Sequence, residues 1–320
     1  MERAFEKSVC LGTAVAYVLL LFFISIPNGF ILITLYRNPL RCFRKAFYVF
    51  LAFIAAVDLF NGVVVCFGKV IMRFICAFGD QNISQEGDIV TILEYTGINS
   101  SILLVTAMSV DRFISVVFPH FYLHKVSPRK LVACNTTTVI FSSIFASIQL
   151  AEISIDVYLS IDIHLHTTFP LVTCISAYLG ILVALRKRSR VNLQRQASLP
   201  SHPTLNNMRR LRVTQMERKL VATSFFILLF LIISLVPYFA AILLAANCSG
   251  CRGTKWFFGL RESTIAFLFI NSMVNPFLAT YRINELKHSV KRVLGLMRQD
   301  RENSSCNVLP PTSLRNVAYM

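Results

Sequence analysis

Seven long apolar runs, separated by polar connections, dominate the pattern along the chain: 11–36, 46–72, 89–118, 131–151, 155–185, 220–246 and 257–281. A helix crosses a bilayer with about 20 mostly apolar residues, so each run predicts a transmembrane helix. Acids interrupt three of them: Asp58 in the second, Glu94 in the third, Asp156 and Asp162 in the fifth. The stretch 153–165 alternates apolar and polar residues, the period of a strand. The distance from Pro170 back to the fourth run suits a helix, and a helix is expected. Beyond residue 281, Ile283, Leu286, Val290, Val293, Leu294 and Met297 recur at helical spacing between Lys and Arg. That predicts a short amphipathic helix over 282–297, lying on a membrane surface. The predicted fold class is therefore all-α: a seven-transmembrane helix bundle over 11–281 with a short amphipathic eighth helix.

The connections add little folded mass. The longest, 186–219, has a turn-rich centre at 198–204 between two basic ends, and 298–320 reads as a disordered tail. Residues 1–10 lack the apolar core and small-residue cleavage site of a leader, so the first run is expected to be a retained anchor behind a short outer segment. The two halves show no internal repeat, which argues against an inverted-repeat transporter.

Composition agrees with a membrane protein: 55% of residues are hydrophobic and 15% charged, against about half and a quarter in soluble domains. The net charge of +16 would suggest nucleic acid in a soluble chain. Here 25 of the 32 Lys and Arg fall after the first, third and fifth runs, after the seventh, or, for Arg112, at the inner end of the third. Positive residues stay in the cytoplasm, so the N-terminus is expected outside and the C-terminus inside, in the plasma membrane. The basic surplus then faces anionic lipid and a cytoplasmic partner, not nucleic acid. The outer side carries ten acids against seven bases, a mildly cation-attracting face.

Ionisable groups inside a membrane are expensive and mark function by default. Asp58 lies mid-run with no basic residue within a helical turn, and other runs offer Asn28, Ser101, Asn271, Ser272 and Asn275. A carboxylate with hydroxyl and amide oxygens suits a small hard cation and water. The plainer reading is a hydrogen-bonded network between helices, and spacing alone favours it. Asp111-Arg112 at the inner end of the third run reads by itself as a snorkelling pair. Pro170, Pro237 and Pro276 each free a backbone carbonyl within a run and permit a kink.

In order along the chain, Asn28, Ala55-Ala-Val-Asp58, Asp111-Arg-Phe113, Pro170 with Tyr178, Pro237 and Asn275-Pro276 form a set that resembles the rhodopsin-like (class A) G-protein-coupled receptors. The resemblance covers about residues 11–297. It implies a receptor that binds an extracellular ligand and activates a heterotrimeric G protein, with arrestin and a receptor kinase as further partners. It places Asp58, Ser101, Asn271, Ser272 and Asn275 at the family's sodium site, which reverses the preference for a plain network. It gives Asp111, Arg112, Tyr178, Glu217, Pro237 and Pro276 to coupling and activation, with Glu217 pairing Arg112 when inactive. The departures are specific. Ala279 and Leu235 replace the family's tyrosine and tryptophan, Tyr281 is about 200° around the helix from Ala279, and Gly87 stands near the expected third-helix cysteine. The second outer loop is very short and lacks cysteine, as in melanocortin-like and some lipid-receptor branches. Phe269 occupies the retinal-lysine position, so no retinal is expected.

Four of the nine cysteines, Cys10, Cys76, Cys248 and Cys251, are expected on the oxidising side. Three pairings exist; Cys248 and Cys251 could close on each other or pair with Cys10. Asn82 and Asn247 begin outward sequons, while Asn99, Asn135 and Asn303 begin sequons in the membrane or cytoplasm. Ser198 follows Arg195 as a basic-directed phosphorylation site. The chain holds no nucleophile-base set, metal-spaced His cluster or phosphate loop, so no catalytic activity is expected. A seven-span transporter or channel remains the reading from another class.

Glu94 lies eighteen residues, five helical turns, above Arg112, the height that carries the amine-pairing acid in aminergic receptors. Asp162 lies eight residues before Pro170, and Tyr158, Asp162 and His166 share a helical face. Tyr238 and Phe239 offer aromatic walls. Two buried carboxylates without partners are costly, so the expected ligand is a small cationic amine, with a peptide or a lipid as alternatives. The opposing reading is internal: Lys69 neutralises Glu94, and Asp162 bonds to His166.

Overall fold

The computed structural model describes residues 2–39, 43, 46–79, 88–151, 154–196, 205–248, 250, 251 and 254–296. Among the described residues, seven helices are long and apolar enough to cross a membrane: Ala4–Arg37, Ala46–Phe78, Ile89–Val117, Pro128–Leu150, Val157–Lys187, Val221–Leu244 and Lys255–Arg282, hereafter spans 1 to 7. Among the described residues there is no strand. The stretch with strand-like alternation forms a helix over Ile155–Asp162, as expected.

Several helices outrun their apolar cores. The first begins at Glu2, so the described part of the outer N-terminal segment is the first turns of span 1. Helix continues from span 5 to Gln196 and begins before span 6 at Leu205, so much of the 186–219 connection is helical. Its turn-rich centre and Ser198 lie outside the described residues, as do the tail 298–320, Gly87 and Asn82. Boundaries follow local chemistry. Span 1 ends at Asn38, in the left-handed conformation with φ 39°, just before Pro39. Ser127 caps span 4 by accepting from the Lys130 amide at 3.4 Å, with Pro128 at the first helical position. The amphipathic helix is Asn284–Val293, with Leu286 and Ser289 buried against the bundle.

Polarity is arranged for a bilayer. Phe22, Phe23, Ile26, Val183 and Ile233 point outward, while Asn28, Asp58, Asn271 and Asn275 are buried. Pro27, Pro237 and Pro276 sit inside helices, as neighbouring helices in a membrane bundle allow. Two π-helical segments interrupt the regular winding, Asn61–Cys66 in span 2 and Ile163–Thr168 in span 5. Such segments add a residue to the turn and re-aim the side chains beyond it. They lie next to two of the clusters of buried polar groups described below. Close helix contact relies on glycine: a Cβ on Gly97 in span 3 would overlap Asn61 Oδ1 in span 2.

Among the described residues, two disulfides secure the end of the bundle where the chain begins. Cys10 in span 1 pairs with Cys76 in span 2, and Cys248 with Cys251 in the span 6–7 connection. Of the pairings left open by the sequence, this excludes a bond from Cys10 to that connection.

Candidate functional site

Three polar clusters are stacked along the bundle. The central one is built on Asp58. Its Oδ1 accepts from Ser272 Oγ at 2.6 Å and its Oδ2 from Asn275 Nδ2 at 2.9 Å, joining span 2 to span 7. Asn28 donates to the backbone oxygen of Ser272 at 3.1 Å, bringing in span 1. Just above, Asn61, Ser101, Asn271 and Ser272 line a small cavity closed by Ile98, Leu231 and Phe269. The side-chain oxygens of Asn61, Asn271 and Asn275 are buried and make no hydrogen bond to protein. A carboxylate beside three orphaned amide oxygens is a donor set for a small hard cation with water, so these residues fit a sodium ion. Every residue expected at this site is brought together. Asn61 joins them unexpected, although it lies three residues after Asp58 on the same span.

The second cluster is at the far end of span 3. Arg112 Nε donates to Asp111 Oδ2 at 3.0 Å, and Arg112 Nη2 bonds the same oxygen. Tyr122, on the short helix Pro119–Lys125, donates to Asp111 Oδ1 at 2.8 Å and accepts from Arg112 Nη2 at 3.4 Å. Burial and the nearby Asp111 carboxylate push the Tyr122 hydroxyl above its ordinary pKa, so it stays a donor. Tyr122 is invisible to sequence reasoning, because a tyrosine in a connecting segment carries no spacing signal. Tyr178 is buried and packs edge-to-face on Phe225 at 5.4 Å. Arg282 stands over the Phe226 ring at 3.8 Å, tying the end of span 7 to span 6. The Glu217 side chain lies outside the described residues. Ala279 is buried while Tyr281 is exposed, so Tyr281 does not fill the place of the family's tyrosine. Leu235 is buried in the core.

The third cluster, near the Cys10–Cys76 bond, changes the expectation for the ligand. Glu94 is paired with Lys69 at 2.7 Å, and both side chains are buried. Asp162 Oδ1 accepts from Asn99 Nδ2 at 2.8 Å and bonds His166 Nδ1 at 3.0 Å. The two acids are therefore partnered inside the bundle, and the premise that they await a cation is corrected. A further pair is unforeseen in the sequence: Arg73, one turn beyond Lys69 on span 2, meets Glu262 on span 7. Glu262 also takes Arg261 Nη2 at 2.8 Å. Sequence alone counts Arg73 and Glu262 among the outer-face charges, yet both are buried. Aromatic rings pack around the Asp162–His166 pair. Tyr158 stacks on Phe145 at 5.1 Å and meets Tyr95 edge-on at 5.7 Å, and Phe145 lies 4.8 Å from the His166 ring. Tyr238 is buried beside Tyr95, and Phe239 packs on the core. Asn247 is exposed; the sequon residues Asn99 and Asn135 are buried.

The chain matches the model of the 7 transmembrane receptor (rhodopsin family) over residues 27–155 and 151–278. It belongs to that family, whose members are receptors, and is a multi-pass membrane protein of the G-protein-coupled receptor class. No curated protein matches the chain.

Proposed function

We propose that the protein converts binding of an extracellular ligand into nucleotide release by a heterotrimeric G protein. The observation that carries this is the Arg112 cluster. An arginine held by Asp111 and Tyr122 at the end of span 3 is a strong multidentate donor that a small movement would free. Freed, Arg112 contacts the G protein while Tyr178 moves towards it, and Glu217 contributes to the closed state. The Lys and Arg bias supports the reading that this end faces the cytoplasm of a plasma-membrane receptor and the N-terminus the outside. Arrestin and a receptor kinase would meet the same face, and Asn82 and Asn247 would carry glycans on the other.

Asp58, Ser101, Asn271, Ser272 and Asn275, with Asn61 added, hold a sodium ion that favours the inactive state. A ligand shifts a two-state equilibrium only through its differential affinity, so sodium opposes agonist. The test is nucleotide exchange by a G protein with the purified full chain in lipid nanodiscs. Basal or ligand-driven exchange that Arg112→Ala abolishes supports the reading. Exchange no faster than with empty nanodiscs, under every G-protein class, sinks it.

A further inference from the structure

We propose that Arg282 on span 7 and Phe226 on span 6 form a latch: the contact of guanidinium on ring holds the Arg112 end of the bundle closed and restrains the basal activity of the receptor. The inference rests on the receptor reading and names the two residues that regulate it.

The Arg282 guanidinium stands 3.8 Å from the centre of the Phe226 ring. An arginine this close to a ring is attracted by the ring's electron-rich face, and more strongly away from water. Both side chains are half-buried. Arg282 is also the last residue of its helix, where a cation meets the negative end of the helix dipole. One turn back, Ala279 is buried and has no polar group, so Arg282 supplies the directional contact that this part of span 7 makes with span 6.

The contact continues beyond Phe226. Phe226 meets Phe225 edge-on at 5.9 Å, and Phe225 meets Tyr178 edge-on at 5.4 Å. Consecutive residues of a helix point about 100° apart, so the two phenylalanines reach from span 6 to different neighbours, one to span 7 and the other to span 5. The row Arg282, Phe226, Phe225, Tyr178 therefore crosses three spans. Tyr178 lies within electrostatic range of Arg112, which joins the row to the Arg112 cluster. Pro237 sits inside span 6, eleven residues from Phe226, or about three turns. A bend at that proline swings the Phe226 end of the span as a lever and draws the ring off the guanidinium. Such a contact weights a two-state balance about fivefold, enough to favour the closed form and little enough for a ligand to overcome.

The test uses the full chain in lipid nanodiscs and two readouts: basal nucleotide exchange by a G protein, and backbone hydrogen–deuterium exchange in the inner turns of span 6 with no G protein present. Phe226→Leu and Arg282→Gln are each expected to raise both by about fivefold. The double variant should do no more than either single one, because each removes the same contact. Phe226→Tyr keeps a ring and Arg282→Lys keeps a cation, so both should stay within about twofold of the wild type. Phe226→Leu and Arg282→Gln that leave hydrogen exchange at the wild-type rate would overturn the proposal. So would a double variant whose effects add, or Phe226→Tyr and Arg282→Lys that behave like the variants lacking ring or charge. Faster hydrogen exchange in both single variants, with no nucleotide exchange by any of the proteins, leaves the latch standing and removes the receptor reading. Nucleotide exchange at one rate in every variant, with the inner turns of span 6 unchanged, keeps the receptor and removes the latch.

Discussion

Lys69 and Arg73 reach from span 2 to acids on spans 3 and 7, whereas Arg112 turns back onto Asp111, its neighbour in span 3, and onto Tyr122 eleven residues beyond that acid. The Lys69–Glu94 and Arg73–Glu262 pairs join different helices. The inner ones close within a single stretch of chain. Ion pairs between helices must break before those helices part, while a pair within one stretch travels with it. The bundle is thus charge-stapled at the Cys10 end. At the Arg112 end, the described contacts between spans 5, 6 and 7 are mostly aromatic and cation–π: Tyr178 on Phe225 and Arg282 on Phe226. Among the described residues, opening there to admit a partner breaks no ion pair between these spans.

The largest effect should come from breaking an outer staple from one side. Glu262→Ala removes a buried carboxylate that both Arg73 and Arg261 bond, and should cost several kcal/mol, on the order of 3. Arg112→Ala leaves the buried Asp111 with the Tyr122 hydroxyl still donating to it, and should cost less. Thermal unfolding of the two variants checks the contrast; equal losses would remove it. The disulfides give the next contrast at the same end. Chain entropy assigns about 4 kcal/mol to the 66-residue closure of Cys10–Cys76 and roughly 1.5 kcal/mol to the 3-residue closure of Cys248–Cys251. Cys10→Ser/Cys76→Ser should therefore lower the unfolding temperature more than Cys248→Ser/Cys251→Ser. The reverse order would place the stabilising constraint in the span 6–7 connection.

Legibility in the sequence divides along the same line. The spans are legible because apolar length is a property of each segment alone. Asp58, Ser272 and Asn275 are legible because a polar residue deep in an apolar run must find a partner there. Arg73 and Glu262 are not. Each lies near the end of its span, where an exposed charge is equally ordinary, and only the packing of span 2 against span 7 buries them together. The π-helical segments at Asn61–Cys66 and Ile163–Thr168 leave no mark in composition, since an extra residue in a turn changes backbone hydrogen bonding and not residue type. Lys69 with Glu94, and His166 with Asp162, are the internal pairs that the sequence allows as the alternative to a bound cation, and the structure forms both.

Between the two ends, the Asp58 cluster should respond to the ion and not to ionic strength. Replacing N-methylglucamine chloride by sodium chloride at constant strength should stabilise the wild type, by about 2.7 kcal/mol when sodium exceeds its dissociation constant a hundredfold. Asp58→Asn should abolish the difference. Stability indifferent to sodium in the wild type would make the cluster a hydrogen-bonded joint between spans 1, 2 and 7 and nothing more.

The smallest expected effect tests the inner end most directly. Tyr122→Phe removes one hydroxyl that donates to Asp111 and accepts from Arg112, leaving the ring and the direct Arg112–Asp111 contact in place. Losing a hydrogen bond of this kind costs about 1 kcal/mol, too little to unfold the bundle but enough to shift a two-state balance about fivefold. If Tyr122 holds Arg112 in the closed arrangement, basal nucleotide exchange should rise by about that factor, with the unfolding temperature little changed. Tyr122→Ala should do no more than Tyr122→Phe, because the effect belongs to the hydroxyl. Basal exchange that stays at the wild-type rate in Tyr122→Phe but changes in Tyr122→Ala would mean that the ring merely seats the Pro119–Lys125 helix. The contrast would then reduce to Arg112 and Asp111 alone.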